Sequence, residues 1–195
     1  MDLTLYTADV FTGQPFGGAQ IAVFPQADGL EASAMQRIAT ELNLPGTVFM
    51  EATADPRQHR VRTFNPREEI DFAGQAVLAA AHILAVTGQA PADGRLDLLH
   101  GFGPVQVRLG AAQGRVGFVQ FSRTVFPVVD RFVPTADELA GILSLERRAL
   151  GERDLQPLLV ACERPYLILP VRGLDALKQA RFEATAWAAS HAPSM

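Results

Sequence analysis

The side chains most able to do chemistry in this sequence crowd into one stretch, Glu68-Glu69-Ile70-Asp71-Phe72-Ala73-Gly74-Gln75. Glu68, Glu69 and Asp71 place three carboxylates close together, and mutual repulsion in such a group favours holding one proton. Glu69 is therefore a candidate acid/base, although the same group also reads as solvated charge at the approach to a helix N-terminus. Gly74 and Gln75 open an apolar run, where unpaired backbone N–H groups and the positive end of a helix dipole can hold a carboxylate. The plainer alternative makes Gly74 a turn and Gln75 a cap.

The remaining reactive residues are scattered. His82 lies inside the apolar run and reads as a hydrogen-bonded core histidine. His59, His100 and His191 share no spacing with Cys or carboxylates, so no metal site is expected. Cys162, the single cysteine, sits at the end of the apolar run PLLVAC and is expected as a buried, inert thiol. The glycines at positions 13 to 18, 101 and 103 lack the strand–loop–helix context of a phosphate-binding loop.

The elements that must position these residues follow from periodicity. From Gly74 to Val86 the chain is apolar almost all round, so a helix there belongs inside a core. LTLYTADVF and AQIAVF (Ala19 to Phe24) predict a hairpin of two strands. Met35, Ile38, Ala39 and Leu42 recur at helical spacing over Glu31 to Leu42, and the Asn43-Leu44-Pro45-Gly46 sequence ends that helix. TVFMEAT and HRVRTFN predict strands joined by a polar turn. RLDLLH, VQVRLG and RVGFVQF predict a meander after the central helix. Further on, Thr135 caps a helix in TADELAGILSL. PLLVAC and YLILPV read as strands, GLDALKQA as a short helix, and Arg181 to Met195 shows no convincing period. The fold expected is α+β: a curved, mainly antiparallel sheet around a buried helix, then a second, shorter unit. The boundary is expected within Phe126 to Pro134, giving domains 1–125 and 126–195.

With 195 residues, 48% of them hydrophobic and 19% charged, the chain can build a real core. A formal charge of −4 gives no reason to expect nucleic acid or an anionic membrane as partner. One cysteine and no secretory opening point to a reducing compartment, the cytoplasm. The run Ala76 to Val86 is too short to cross a bilayer.

DVFTGQPFGGAQIAVF, MQRIATELNLPGTVF and VRTFNPREEIDFAGQAVLAAAHIL together resemble the PhzF family of phenazine biosynthesis, itself similar in fold to diaminopimelate epimerase. ERPYLILPVRGLDAL is a weaker echo of the family's second half. The resemblance implies two similar domains, each a curved sheet around a central helix. It also implies proton transfer on a small carboxylate-bearing molecule without metal or organic cofactor. The family's motifs place a glutamate in N-L-S-E-T, a histidine in F-x-G-H and an asparagine in G-N-P. Here those positions read Asn43-Leu44-Pro45-Gly46-Thr47, Phe72-Ala73-Gly74-Gln75 and Gly18-Ala19-Gln20. Glycine replaces the acid/base glutamate, and an amide that cannot change charge replaces the imidazole. The family's D-x-A-T-G-S motif has no counterpart before Met195, so the second domain is expected to be incomplete.

On this reading Gly46, Thr47, Gly74 and Gln75 are the candidate substrate-binding positions, and a replacement acid/base would come from groups such as Glu69 or from residues of another chain. Three expectations stand together: an impaired isomerase-like protein that binds a carboxylate or a protein, an isomerase working through replacement groups, or one part of a split enzyme. A homodimer or a partner chain completing the second domain is expected in each case.

Overall fold

A computed structural model describes residues 2–112, 115–130, 133–151, 154–162 and 165–190. The chain falls into two units, Met1–Arg123 and Thr124–Met195.

In the first unit β1 (Tyr6–Val10) and β2 (Ala19–Phe24) pair as the expected hairpin, Tyr6 opposite Val23 and Val10 opposite Ala19. Helix α1 (Ala32–Leu42) stops at Asn43, whose left-handed φ of 49° makes the C-terminal turn that an asparagine tolerates. Strands β3 (Gly46–Ala52) and β4 (Gln58–Phe64) run antiparallel, and the two-residue β5 (Glu69–Ile70) pairs with the end of β4. Helix α2 (Gly74–Val86) follows, then the meander β6 (Arg95–His100), β7 (Gly103–Ala112) and β8 (Arg115–Ser122). Among the described residues the sheet order is β1-β2-β3-β4-β6-β7-β8, with β5 beside β4. Most pairings are antiparallel. β2–β3 and β4–β6 are parallel, and each needs a long crossover, which α1 and α2 supply.

The two helices lie on opposite faces of this sheet. Val48 and Met50 share a core with Val77, Ala80 and Leu84 of α2. Phe49, one residue out of step with them, packs with Met35 and Ala39 of α1. Strand alternation makes that division. Val77, Ile83 and Leu84 are at most 4% exposed, and each such side chain contributes about 1.5–3 kcal/mol of burial. The α+β expectation of a curved sheet around a buried helix holds.

The second unit contains β9 (Val128–Asp130), α3 (Ala136–Ile142), a 3₁₀ turn (Arg147–Ala149), β10 (Leu158–Ala161), β11 (Pro165–Ile168), α4 (Gly173–Gln179) and α5 (Ala184–Ala189). Its sheet is β11-β10-β9, antiparallel throughout. The Thr135 hydroxyl accepts the Glu138 N–H while the Glu138 carboxylate accepts the Thr135 N–H, a capping box. Its core is thin: Leu139 and Ile142, flanked by partly buried Leu150, Leu167, Leu169 and Trp187.

Two details differ from expectation. α5 occupies part of the tail read as aperiodic, while residues 191–195 lie outside the described ones. Cys162 is exposed, because β10 ends at Ala161 and leaves the thiol one residue past the strand.

Candidate functional site

The candidate site forms where β5 hands over to α2. Ala73 is the N-cap, extended at φ −144° and ψ 116°, and its methyl group offers no capping bond. Ala76 and Val77 close the first turn on the Ala73 carbonyl at 3.0 and 3.2 Å. The amides of Gly74 and Gln75 come before that ladder begins, so helix bonding does not consume them. No acidic side chain stands in the first turn, leaving the positive end of the dipole open to an anion. Glycine at 74 also admits an aromatic ring, since a Cβ there would stand 3.1 Å from Phe121 Cζ.

An aromatic cluster surrounds this helix start. The Phe72 ring meets His100, Phe102 and Phe121 edge-on, with centroids 5.9, 5.7 and 5.7 Å away. His100 stacks on Phe102 at 5.3 Å. The Arg123 guanidinium lies 4.0 Å above Phe102 and 4.5 Å above Phe72. His100 is 8% exposed, and its Nε2 is buried without a hydrogen-bond partner. Burial, reinforced by the Arg123 charge, holds its pKa down to about 4, so the ring is neutral at neutral pH. Sequence spacing did not single out His100. The His100–Gly103 pairing across the β6–β7 hairpin and the β7–β8 register bring it here, and neither is visible in local pattern.

The residues expected from sequence divide between the two sheet faces. Gly46 is buried at the start of β3, beside Ile21; a Cβ there would meet Ile21 Cδ1 at 3.2 Å. By alternation it shares the α2 face with Val48 and Met50. Thr47 falls on the α1 face with Phe49, fully buried, its hydroxyl without a partner. Glu69 stands opposite Phe64 and accepts two bonds from Arg62, at 2.7 and 2.6 Å. That pairing holds the Arg62 guanidinium above its ordinary pKa. The geometry thus gathers Gly46, Gly74 and Gln75 on one side of the sheet and places Thr47 and Glu69 on the other.

The other titratable candidates lie elsewhere. His59 is buried in β4, its pKa lowered by burial against the opposing pull of Asp28. His82 is half-buried on α2, two turns past Gly74. His191 lies outside the described residues. Among the described residues no group of three His, Cys, Asp or Glu side chains could hold a metal ion, and no helix is long and apolar enough to cross a membrane.

Comparison with known proteins bears on fold and family. The chain is 29% identical over 180 residues to an uncharacterized isomerase of Mesorhizobium japonicum, covering 92% of this chain and 59% of that protein. It is 31% identical over 134 residues to the trans-2,3-dihydro-3-hydroxyanthranilate isomerase of Pseudomonas aeruginosa, covering 69% of this chain and 47% of that one. A PhzF-family phenazine biosynthesis protein of Bacillus anthracis superposes with a TM-score of 0.85 at 24% identity, over 97% of this chain and 62% of its own. The chain therefore spans about half to three-fifths of the length of these relatives. The phenazine biosynthesis-like family (PhzC-PhzF) matches residues 8–195, and the chain belongs to that family.

Proposed function

We propose that this chain keeps the carboxylate-holding part of an isomerase-type site and has lost its usual acid and base. A small carboxylate-bearing metabolite docks on the amides of Gly74 and Gln75, and proton transfer on that metabolite is strongly impaired or absent. The observation that carries this reading is the start of α2, uncapped by Ala73 and free of acidic side chains in its first turn. Gly46 has no side chain with which to move a proton, and the Gln75 amide cannot change charge. General acid–base catalysis is worth about 10²- to 10⁴-fold, and these two positions no longer supply it. As the chain lies within an isomerase family, the reaction lost is an isomerisation or epimerisation through proton transfer.

A second reading, a working isomerase with replacement groups, has one observation in its favour. His100 is a neutral imidazole with an unpartnered Nε2, packed on Phe72 two residues before Gly74. Glu69 fits that role less well, because its carboxylate is engaged by Arg62.

Thermal shift with a panel of small carboxylates tests the binding claim, since a ligand that prefers the folded state raises Tm. Gly74→Pro removes the first amide of the helix, suits its backbone and follows an extended Ala73. Gly74→Ala adds a comparable Cβ near Phe121 and keeps the amide. The shift should survive in Gly74→Ala and fall in Gly74→Pro. Equal shifts in both, or none in wild type, would remove the proposal.

A further inference from the structure

His100 closes β6 on the face that carries Leu96 and Leu98 into the core of α2, so strand alternation aims its ring at that helix. The Phe72 ring, two residues before Gly74, meets it edge-on with centroids 5.9 Å apart, which puts the imidazole beside the start of α2. The side chain is 8% exposed, and its Nε2 has no hydrogen-bond partner among the described residues. Leaving a buried nitrogen unpaired costs stability, and a ligand that supplies the bond recovers that cost. The orphaned nitrogen is thus a second polar feature at the α2 start, separate from the helix amides.

The surroundings decide which group answers it. A neutral imidazole carries one N–H and one bare nitrogen, and a hydroxyl, which both donates and accepts, pairs with Nε2 in either tautomer. An ammonium only donates, and the Arg123 charge that disfavours a cation on His100 disfavours one next to it. A second carboxylate would bury its charge among the rings of Phe72 and Phe102, at far greater cost than a hydroxyl. Access runs past Phe102. Its ring lies flat on the imidazole, with 5.3 Å between centroids and 12° between planes, yet it is 43% exposed at the hairpin tip between Gly101 and Gly103. A Cβ at either glycine would have no neighbour within 4 Å. The ring is therefore held chiefly by its contacts with His100, Phe72 and Arg123, and flanking glycines let the tip tilt outward.

We propose that His100 is a specificity-determining residue of the α2 site, whose ligand is a small hydroxycarboxylate with its carboxylate on the amides of Gly74 and Gln75 and its hydroxyl on His100 Nε2. Phe102 tilts aside to admit the ligand, whose apolar part packs on Phe72. The hydroxyl stands on a carbon near the carboxylate, since Phe72 joins the two polar features across only two residues. The inference rests on the carboxylate reading of the α2 start, and adds to it a preference for a hydroxy acid over the unsubstituted acid and over the amino acid.

The test compares two sets of acids that differ in one substituent: propionate, lactate and alanine, and phenylacetate, mandelate and phenylglycine, each chiral acid as both enantiomers. Dissociation constants are measured by NMR titration of the purified 195-residue chain. In at least one set the hydroxy acid is expected to bind at least about fivefold tighter than the unsubstituted acid, with the amino acid weakest. The imidazole ¹⁵N signals of His100 should move with the hydroxy acid and far less with the unsubstituted one. In His100→Phe, which keeps a ring against Phe72 and Phe102, the hydroxy and unsubstituted acids are expected to bind equally. Should that variant fail to fold, the ¹⁵N signals of the wild type decide. Equal binding of the two acids by wild type, a preference that survives His100→Phe, or His100 signals indifferent to the hydroxyl would each overturn the proposal and leave the carboxylate reading standing. Binding of no acid in either set would overturn both.

Discussion

The Arg62 guanidinium grips the Glu69 carboxylate through two bonds, at 2.7 and 2.6 Å, on the sheet face that carries Phe49 and Phe64. The most conspicuous carboxylate near the helix start therefore closes β5 onto β4. Both side chains remain partly exposed, so the pair contributes roughly 0.2–1 kcal/mol. Glu69→Gln should lower Tm only slightly and leave the carboxylate-induced shift intact, as thermal scans with and without ligand will show. Loss of the ligand response in this variant would place Glu69 in the binding site.

The β1–β2 hairpin depends on a close approach. A Cβ at Gly18 would stand 2.1 Å from the Val10 carbonyl oxygen, a backbone atom that cannot swing away. Gly18→Ala should destabilise by on the order of 2 kcal/mol or more, as strain at a constrained backbone position does. Denaturant titration should show a lower midpoint with an unchanged slope. A midpoint within error of wild type would contradict this packing.

Stability should also depend on pH through His100. Its folded pKa of about 4 lies below the ordinary value of 6.5, so the unfolded chain takes up the proton first as pH falls. The stabilisation is full above about pH 6.5 and is lost as pH drops toward 4. His59 acts in the same direction. Tm should therefore decline between pH 6.5 and 4.5, more shallowly in His100→Phe, which keeps an aromatic ring between Phe72 and Phe102. Identical slopes in the two proteins would show that His100 is not the group titrating.

The second unit exposes Val128, Tyr166, Ile168 and Leu177, each by at least half, over a thin core. We expect a homodimer or a complex with a partner chain to cover part of this surface. Sedimentation at micromolar concentration should report a species larger than a monomer, and a clean monomer would count against this expectation.

Much of the fold was legible because its elements are long enough to show a period. AQIAVF became β2 at the expected residues, the all-apolar run became α2, and Asn43 and Thr135 capped as their chemistry predicts. β5 and β9, with two and three residues, are too short to carry a period. The candidate site was legible only in part. Gly74 and Gln75 announce a helix start locally, but the ring of Phe72, His100, Phe102 and Phe121 is assembled by the register of β6, β7 and β8. The division of Gly46 from Thr47 is a matter of strand alternation, since adjacent residues point to opposite faces.

The central claim, a helix start that binds a carboxylate without moving its protons, is tested most directly by one NMR experiment in D₂O. Amino acids and cyclic carboxylates are mixed with the protein, and both ligand saturation transfer and loss of carbon-bound proton signals are recorded. We predict saturation transfer to at least one carboxylate, with its carbon-bound protons retained over hours. Deuterium entering any of these molecules would contradict the claim and point to His100, and the absence of any transfer would contradict the binding itself.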